Sequence, residues 1–396
     1  MNPAMVNHLK KKYLLLTCII AMPLFLAFLK WFYGELSQSQ AGNDFIAYWA
    51  SARLLLNGQN PYLPESIFVL QSSVGWTGAW PLVMYNPPWV LTYILPFAIE
   101  DFVLGKFLWL LFLLICLFVS TDWLWRFYGG TEANRYWNLL ILSSYTPVYF
   151  ALVKGQIVPL ILLGLAGFLH FERNKKGFLA GIFVSLLMIK PHVLYLFFTA
   201  LFIWMFHERQ WITLIGACCS AFIIMGIPCL QDPNVFYQYY AGVLNHSFQY
   251  YWNTPTLGYF LRVMFGTDKH YLQYVPAVLG FAWLFFHWTR HRQRWLWAEQ
   301  LPLLIFMSLM TAVYVWVNDY VLLLVAILQA GLWLVCYHSR PHARWTIVIY
   351  VLINILAWVT AFVSSSEEWI VWMPPALFLI YLALRRSGNP LQIGMK

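Results

Sequence analysis

Apolar runs long enough to cross a lipid bilayer recur along the whole chain, and this feature restricts the fold more than any other. The chain has 396 residues, of which 61% are hydrophobic and only 10% are charged, and its mean hydropathy is +0.65. In soluble domains roughly a quarter of the residues are charged. A membrane β-barrel would show alternating apolar positions instead of continuous apolar runs. The sequence therefore predicts an all-α polytopic membrane protein.

The apolar runs predict about twelve transmembrane helices in one integral-membrane domain that covers residues 1–396. Their expected positions are 13–32, 102–121, 137–153, 157–172, 178–189, 193–206, 211–229, 271–289, 300–317, 320–337, 345–363 and 369–384. The first run follows a basic segment, as the core of a signal peptide also would, but its length favours an uncleaved span. Two longer loops remain, at 34–101 and 230–270, and we expect interfacial helices in the first of them.

Lysine and arginine residues divide unevenly between the two sides that these spans define. With the N-terminal lysines placed in the cytoplasm, 17 basic residues fall on the cytoplasmic side and 5 on the opposite side, whereas acidic residues divide 5 and 10. Cytoplasmic loops are enriched in Lys and Arg, so both termini are expected to be cytoplasmic and both long loops extracytoplasmic, in the inner or plasma membrane. The net charge of +9 then reflects membrane orientation, and we expect no nucleic-acid partner.

Asp44, in the first long loop, is the strongest candidate for chemistry. It precedes a helical pattern at about 45–57 whose apolar residues recur at helical spacing, and we expect this helix to lie in the outer membrane interface. One interpretation makes Asp44 the N-cap of this helix. The other makes it a general base, because a carboxylate beside apolar surface can have a raised pKa and accept a proton from a hydroxyl. The two interpretations are only partly exclusive.

Lys154 and Lys190 each lie in a turn on the same side of the membrane as Asp44. The predicted helices around Lys190, at 178–189 and 193–206, are too short to cross about 30 Å of hydrocarbon, so the turn would be recessed. Polar backbone at such depth is tolerated where it lines a wet cavity or is covered by protein, and a recessed lysine needs an anion or carbonyl partner. The alternative is that both lysines extend to the outer interface. His192 could add a donor or be an ordinary interface histidine.

The second long loop interleaves aromatic and amide residues over 245–255, a composition that suits a sugar because rings pack on pyranose C–H groups while amides bind hydroxyls. An aromatic belt at the membrane interface would show the same composition. Two polar pairs also fall on the outer side, Asn318-Asp319 and Glu367-Glu368, and either pair could belong to a plain loop.

Several motifs of soluble enzymes are missing from the sequence. It contains no Gly-rich phosphate loop followed by Lys-Ser or Lys-Thr, no His-Glu-x-x-His and no Gly-x-Ser-x-Gly. The 6 cysteines lie mostly inside apolar runs and show no disulfide or zinc spacing. We therefore expect neither a soluble nucleotide nor a resident cofactor or metal.

The ordered motifs of the chain resemble glycosyltransferase family 87, the mannosyltransferase-like family of the GT-C superfamily. The resemblance extends over about residues 1–270, and the last third matches only as generic hydrophobic spans. It rests on Asp44-Phe45-Ile46-Ala47-Tyr48, Leu56-Asn57-Gly58-Gln59-Asn60-Pro61-Tyr62, Tyr85-Asn86-Pro87-Pro88, Gly155-Gln156 and Lys190-Pro191.

This resemblance implies a GT-C-like helical bundle that transfers a hexose, by default mannose, from a polyprenyl-phosphate donor. The acceptor would be a lipid-linked or cell-envelope glycan on the extracytoplasmic face, and the transfer would invert the anomeric centre among membrane lipids. Asp44 would be the catalytic base. The donor phosphate would bind Lys190, His192, Lys154 and Arg262, and the sugar and acceptor would bind Tyr48, Tyr62, Asn86, Gln156 and Asn253.

A transporter or flippase of lipid-linked sugars is the main alternative to an enzyme, followed by a non-catalytic assembly subunit. Transporters tend to contain paired repeats with broken helices in both halves. Here the irregular polar features are concentrated on one side of the membrane, which favours an enzyme.

Overall fold

The structure is a computed structural model that describes residues 44–244, 253–337, 340–364 and 366–387. In these ranges all regular elements are helices, so the predicted all-α class is confirmed. The predicted first span at 13–32, the start of the first long loop, and most of the aromatic and amide run of the second loop lie outside the described residues.

The described α-helices are joined by connections, several of which contain a 3-10 turn. In chain order they are α1 (Phe45–Leu56), α2 (Pro64–Ser73), α3 (Leu91–Ala98), α4 (Phe102–Phe127), α5 (Tyr136–Ser144), α6 (Thr146–Val153), α7 (Val158–Arg173), α8 (Gly177–Leu187), α9 (Tyr195–His207), α10 (Trp211–Gln231), α11 (Val235–Tyr239), α12 (Leu257–Phe265), α13 (Val275–His291), α14 (Trp297–Thr311), α15 (Leu324–Tyr337), α16 (Arg340–Ser364) and α17 (Met373–Ser387).

Within the described residues, five helices are long and apolar enough to cross a membrane. They are Phe102–Phe127, Trp211–Gln231, Val317–Cys336, Ala343–Ser364 and Glu368–Arg386. A sixth crossing is possible if the bent pair of α8 and the segment Pro191–His207 counts as one span. The predicted number of about twelve is therefore not confirmed.

The shorter predicted spans explain this difference. The apolar run at 137–153 is divided at Tyr145, whose extended backbone separates α5 from α6, and Pro147 lies in the first turn of the second helix. Helices α7, α13 and α14 reach 16, 17 and 15 residues, which is less than the roughly 20 residues of a typical crossing. Hydrophobicity thus locates these helices correctly, but proline and turn residues decide their lengths.

Helix α1 forms where the sequence predicts a helix, and burial extends beyond the apolar positions that recur at helical spacing. Ten of its twelve residues are buried, and it packs against α3 and α4. Phe45 stacks on Trp109 with ring centroids 5.7 Å apart, and Trp49 meets Phe102 edge-on at 5.3 Å. The helix that Asp44 precedes is therefore held inside the protein by aromatic packing.

The predicted break around Lys190 is confirmed. Helix α8 ends at Leu187, a 3-10 turn covers Pro191–Leu194, and the direction of the chain changes by 120° between the two halves. Lys190 lies in this bend and its side chain is buried. A buried lysine at a break in a helix requires partners from other parts of the chain.

Two glycines allow α8 and α10 to approach closely. A Cβ atom on Gly181 would lie 2.1 Å from the carbonyl oxygen of Thr213, and one on Gly216 would lie 2.2 Å from the carbonyl oxygen of Phe178. Both obstructing atoms belong to the backbone, so neither can rotate away. This contact fixes the helix that leads into the Lys190 bend.

We expect Gly216→Ala to destabilise the protein, because the added methyl group forces the two backbones apart; overpacking of this kind costs about 1–3 kcal/mol. Gly226 lies on the same helix with nothing within 4 Å of its Cβ position, so Gly226→Ala is the matched control and should be neutral or stabilising. Thermal unfolding of both variants in detergent measures the difference. Equal melting temperatures for the two variants would contradict this packing.

Candidate active site

The Asp44 carboxylate is bound by a side chain from a distant part of the chain. Gln156 Nε2 donates a hydrogen bond to Asp44 Oδ2, and the backbone N–H of Asp44 donates to the carbonyl oxygen of Lys154 at 2.7 Å. Asp44 occupies the N-cap position of α1, but its carboxylate accepts no hydrogen bond from the first amides of the helix, so the predicted side-chain cap is wrong. Backbone and side chain of Asp44 are both attached to the 154–156 turn, which gives the carboxylate one defined orientation.

Gln156 connects Asp44 to two further side chains. Its Oε1 accepts hydrogen bonds from Tyr48 Oη and from Lys190 Nζ, each at 3.2 Å, while its amide nitrogen faces Asp44. The turn that carries Gln156 is fixed in place because Gly155 adopts a positive φ of 61° and its carbonyl oxygen accepts a 2.7 Å bond from Trp109 Nε1. A glutamine suits this position because one end of its amide donates and the other end accepts.

Lys190 forms a buried ion pair with Asp319. Lys190 Nζ lies 2.7 Å from Asp319 Oδ1, and the side chains are 9% and 1% exposed. The second carboxylate oxygen of Asp319 accepts a 2.9 Å bond from the backbone N–H of Trp316. Asp319 belongs to the 3-10 turn Val317–Leu323 that leads into α15, so the C-terminal half of the chain supplies the counterion of Lys190.

Lys154 has its own acidic partner, Glu367, at the start of the 3-10 turn Glu368–Trp372. The Lys154 ammonium also lies 5.7 Å from the centroid of the Trp316 ring, a distance typical of cation–π contact. Trp316 Nε1 donates to Tyr314 Oη, and the Tyr314 ring lies 5.7 Å from the ring of His192. These contacts place both lysine turns, His192 and an aromatic surface around Asp44.

The surrounding groups together set the proton affinity of Asp44. Burial is the largest influence and raises the pKa of Asp44 from 3.8 to about 6. Lys154 and Lys190 oppose this rise because their positive charges favour the carboxylate form, whereas Glu367 and Asp319 add to it. A carboxyl group with this pKa is ionised near neutral pH and can still accept a proton during a reaction.

Tyr62 and Asn86 lie beside the Lys190 bend. Tyr62 Oη donates to the carbonyl oxygen of Asn86 at 3.4 Å, and Asn86 Nδ2 donates to the carbonyl oxygen of Ile189 at 3.5 Å. The Tyr62 ring is buried against Tyr239. The motif residues of the first long loop thus contact the backbone next to Lys190.

Arg262 and Asn253 occupy a different environment. The Arg262 guanidinium donates to the carbonyl oxygen of Thr267 at 2.9 Å and to Gln273 Oε1 at 3.4 Å, within the segment around α12. Asn253 is exposed. The segment approaches the Asp319 turn through Tyr320, whose hydroxyl donates to the carbonyl oxygen of Pro255 at 3.0 Å.

Sequence reasoning named Asp319 and Glu367 only as members of two polar pairs on the outer side, and it did not name Trp316. Asp319 carried a usable signal, because an ionisable residue inside an apolar run of membrane length indicates a functional or paired group. Glu367 had no such signal, since its partner Lys154 is 213 positions away. Within the described residues no three His, Cys, Asp or Glu side chains form a metal-binding group.

Comparison with protein families assigns the chain to a class. The family model described as Glycosyltransferase family 87 matches residues 83–360, which is more than half of the chain. Together with the apolar helices, this match identifies a membrane glycosyltransferase, which acts on a sugar donor and an acceptor. The chain belongs to glycosyltransferase family 87, and the resemblance is confirmed. Neither a curated protein nor a solved structure matches the chain.

The matched range differs from the range of the resemblance. It includes the motifs at Tyr85, Gln156 and Lys190, and it extends through Asp319 into the last third, which we had taken as generic. It begins after Asp44 and α1. The structure nevertheless joins Asp44 to the matched part through Gln156.

The Lys190–Asp319 pair provides a stability test. Lys190→Met leaves a buried carboxylate without its counterion, and loss of one partner of a buried pair costs about 3–5 kcal/mol. Lys190→Met combined with Asp319→Asn removes both charges, and the amide oxygen of the new side chain can still accept the Trp316 N–H. We expect the double variant to have a higher melting temperature in detergent than Lys190→Met alone. A double variant that is less stable than the single variant would contradict the ion pair.

Proposed function

We propose that the protein transfers a hexose, by family resemblance mannose, from a polyprenyl-phosphate donor to a lipid-linked or cell-envelope glycan. The transfer takes place on the extracytoplasmic face of the inner or plasma membrane and inverts the anomeric carbon. The observation that carries this proposal is the environment of the Asp44 carboxylate: Gln156 orients it, burial raises its pKa to about 6, and Lys154 and Lys190 flank it.

In this mechanism Asp44 activates the acceptor. Gln156 occupies Oδ2, so we assign Oδ1 to the acceptor hydroxyl. The hydroxyl proton moves to Asp44 while the acceptor oxygen attacks the anomeric carbon of the donor. The bond between that carbon and the phosphate oxygen breaks, and polyprenyl phosphate leaves with the bonding electron pair. Attack from the side opposite the leaving group inverts the configuration.

Lys190 is the residue that we assign to the leaving phosphate. Two of its three ammonium hydrogens bind Gln156 and Asp319, and the third is available for a phosphate oxygen. The charge that develops on the phosphate is then stabilised by a donor already held in place. Lys154 adds positive charge nearby, and His192 and Arg262 are further candidate donors.

Gln156 and Tyr48 act on Asp44 in this proposal more than on the sugar. The oxygen of the Gln156 amide already accepts two hydrogen bonds, so both of its lone pairs are engaged and neither is left for a substrate hydroxyl. Tyr62, Asn86 and exposed Asn253 remain the candidate contacts of the sugar and the acceptor. A phosphate leaving group needs no strong general acid, so the mechanism requires only one proton acceptor.

Asp44→Asn tests the base directly. We expect transfer from polyprenyl-phosphate mannose to a panel of lipid-linked acceptors to fall by about 10²–10⁴-fold, the usual contribution of a general base. Donor binding should stay near that of the wild type, because Lys190 keeps its partners.

The matched control is Asp101→Asn, in the same loop. Asp101 caps α4 through hydrogen bonds from Val103 and Leu104, and asparagine caps a helix as well as aspartate does. Asp101→Asn should therefore transfer normally. Wild-type rates in Asp44→Asn would exclude Asp44 as the base.

The rate should depend on pH through Asp44. A base must be deprotonated in the free enzyme, so kcat/KM should be constant above the pKa of about 6 and fall tenfold per pH unit below it. Initial rates of transfer between pH 4.5 and 8 provide the profile. A profile that stays flat down to pH 4.5 would mean that no group with this pKa limits the reaction.

A further inference from the structure

One oxygen of Glu367 is buried without a hydrogen-bond partner among the described residues. Oε1 pairs with the Lys154 ammonium, whereas Oε2 has no donor and is shielded from solvent. The side chain as a whole is 16% exposed. Buried polar atoms in native proteins almost always have a partner, so this carboxylate oxygen is open to a donor from outside the described residues, and its place beside the Asp44 site makes a substrate group a candidate.

The chemistry of this oxygen restricts the ligand. An ionised carboxylate only accepts hydrogen bonds, so the ligand must supply a donor. An ionised phosphate cannot be this ligand, because its oxygens only accept hydrogen bonds and carry negative charge toward Glu367 Oε2. A hydroxyl group is a neutral donor, and a bond from it to a carboxylate is stronger than a bond between neutral groups.

Glu367 lies next to the reactive carboxylate. The Lys154 side chain pairs with Glu367, and the Lys154 carbonyl oxygen accepts a 2.7 Å hydrogen bond from the backbone N–H of Asp44. The partly buried Trp316 ring lies beside the Lys154 ammonium at 5.7 Å. An acceptor oxygen, a lysine donor and an aromatic surface are the three kinds of group that a pyranose with adjacent hydroxyls requires.

We propose that Glu367, held by Lys154, forms a hydroxyl-binding subsite in which Oε2 accepts a hydrogen bond from a non-reacting hydroxyl of the acceptor sugar. This inference rests on the proposed function. We assign the hydroxyl to the acceptor sugar because Glu367 is joined through Lys154 to Asp44, which binds the reacting hydroxyl of the acceptor in the proposed mechanism. The donor sugar instead carries a phosphate, whose negative charge Glu367 repels. Lys154 is then a positioning residue for Glu367 in addition to any effect of its charge on the phosphate.

Deoxy sugars test the subsite. Octyl mannosides, glucosides and galactosides serve as acceptors with polyprenyl-phosphate mannose, and kcat/KM is measured for an accepted hexoside and each of its monodeoxy analogues. We expect the wild type to disfavour one non-reacting deoxy position by about 10- to 100-fold, the effect of losing a hydrogen bond to a charged group.

Glu367→Gln should lose this preference. Lys154 binds the amide oxygen, so the –NH₂ group replaces Oε2 and cannot accept the hydroxyl proton. For the one sensitive position, the ratio of kcat/KM for the hexoside to kcat/KM for its deoxy analogue should fall toward unity. The same ratio for the other positions should stay unchanged. The neighbouring Glu368→Gln is the matched control and should keep the wild-type ratios. A merely structural role would lower the rates for all hexosides together and leave the ratios unchanged.

The outcomes are distinct. Identical ratios in wild type and Glu367→Gln overturn the subsite, and so does a variant that raises only the KM of the donor, because the hydroxyl would then belong to the donor sugar. Absence of transfer by the wild type to every hexoside and every lipid-linked acceptor overturns the proposed function itself. Melting temperatures establish that Glu367→Gln is folded, and Glu367→Ala repeats the comparison without an amide.

Discussion

The hydrogen bonds of Gln156 connect the parts of the site that lie far apart in the chain. Its amide nitrogen binds Asp44, and its oxygen accepts from Tyr48 and Lys190, whose own counterion is Asp319. Each of these groups is expensive to bury alone, because a charged side chain loses its hydration inside the protein. Joined together, they satisfy one another, and the helices that carry them are constrained to meet at this point.

Charge balance explains why the carboxylate at the centre remains reactive. The charges of the two lysines lower the pKa of Asp44. Each lysine is paired with a carboxylate whose negative charge raises that pKa. Burial then decides the outcome and raises the pKa to about 6. In the proposed mechanism the Lys190 ammonium, held by Asp319, donates to the phosphate, while Asp44 keeps a pKa of about 6.

The sequence predicted the helical class, the position of α1, the break at Lys190 and the proximity of both lysine turns to Asp44. These features follow from local composition: apolar runs, proline and basic residues in turns. Two features could not be read locally. The predicted side-chain cap is absent because the Asp44 backbone is already helical, with φ −61° and ψ −18°, and the carboxylate binds Gln156, 112 positions away. Asp319 and Glu367 stood out as polar residues on the outer side, but their pairing with Lys190 and Lys154 could not be predicted, because pairing between distant segments depends on tertiary packing. The predicted number of spans is not confirmed, because turn residues divide apolar runs that hydrophobicity alone would join into helices shorter than a typical crossing.

The most direct test of the proposed base is the protonation of Asp44 itself. Infrared difference spectra of wild type minus Asp44→Asn, recorded across a pH titration, isolate the carbonyl stretch of the protonated Asp44 carboxyl group. We expect this band to appear with a midpoint at about pH 6. A midpoint near 4, the value of an ordinary solvated aspartate, would contradict the proposed role, because Asp44 would then lack the buried surroundings on which its action as a base depends.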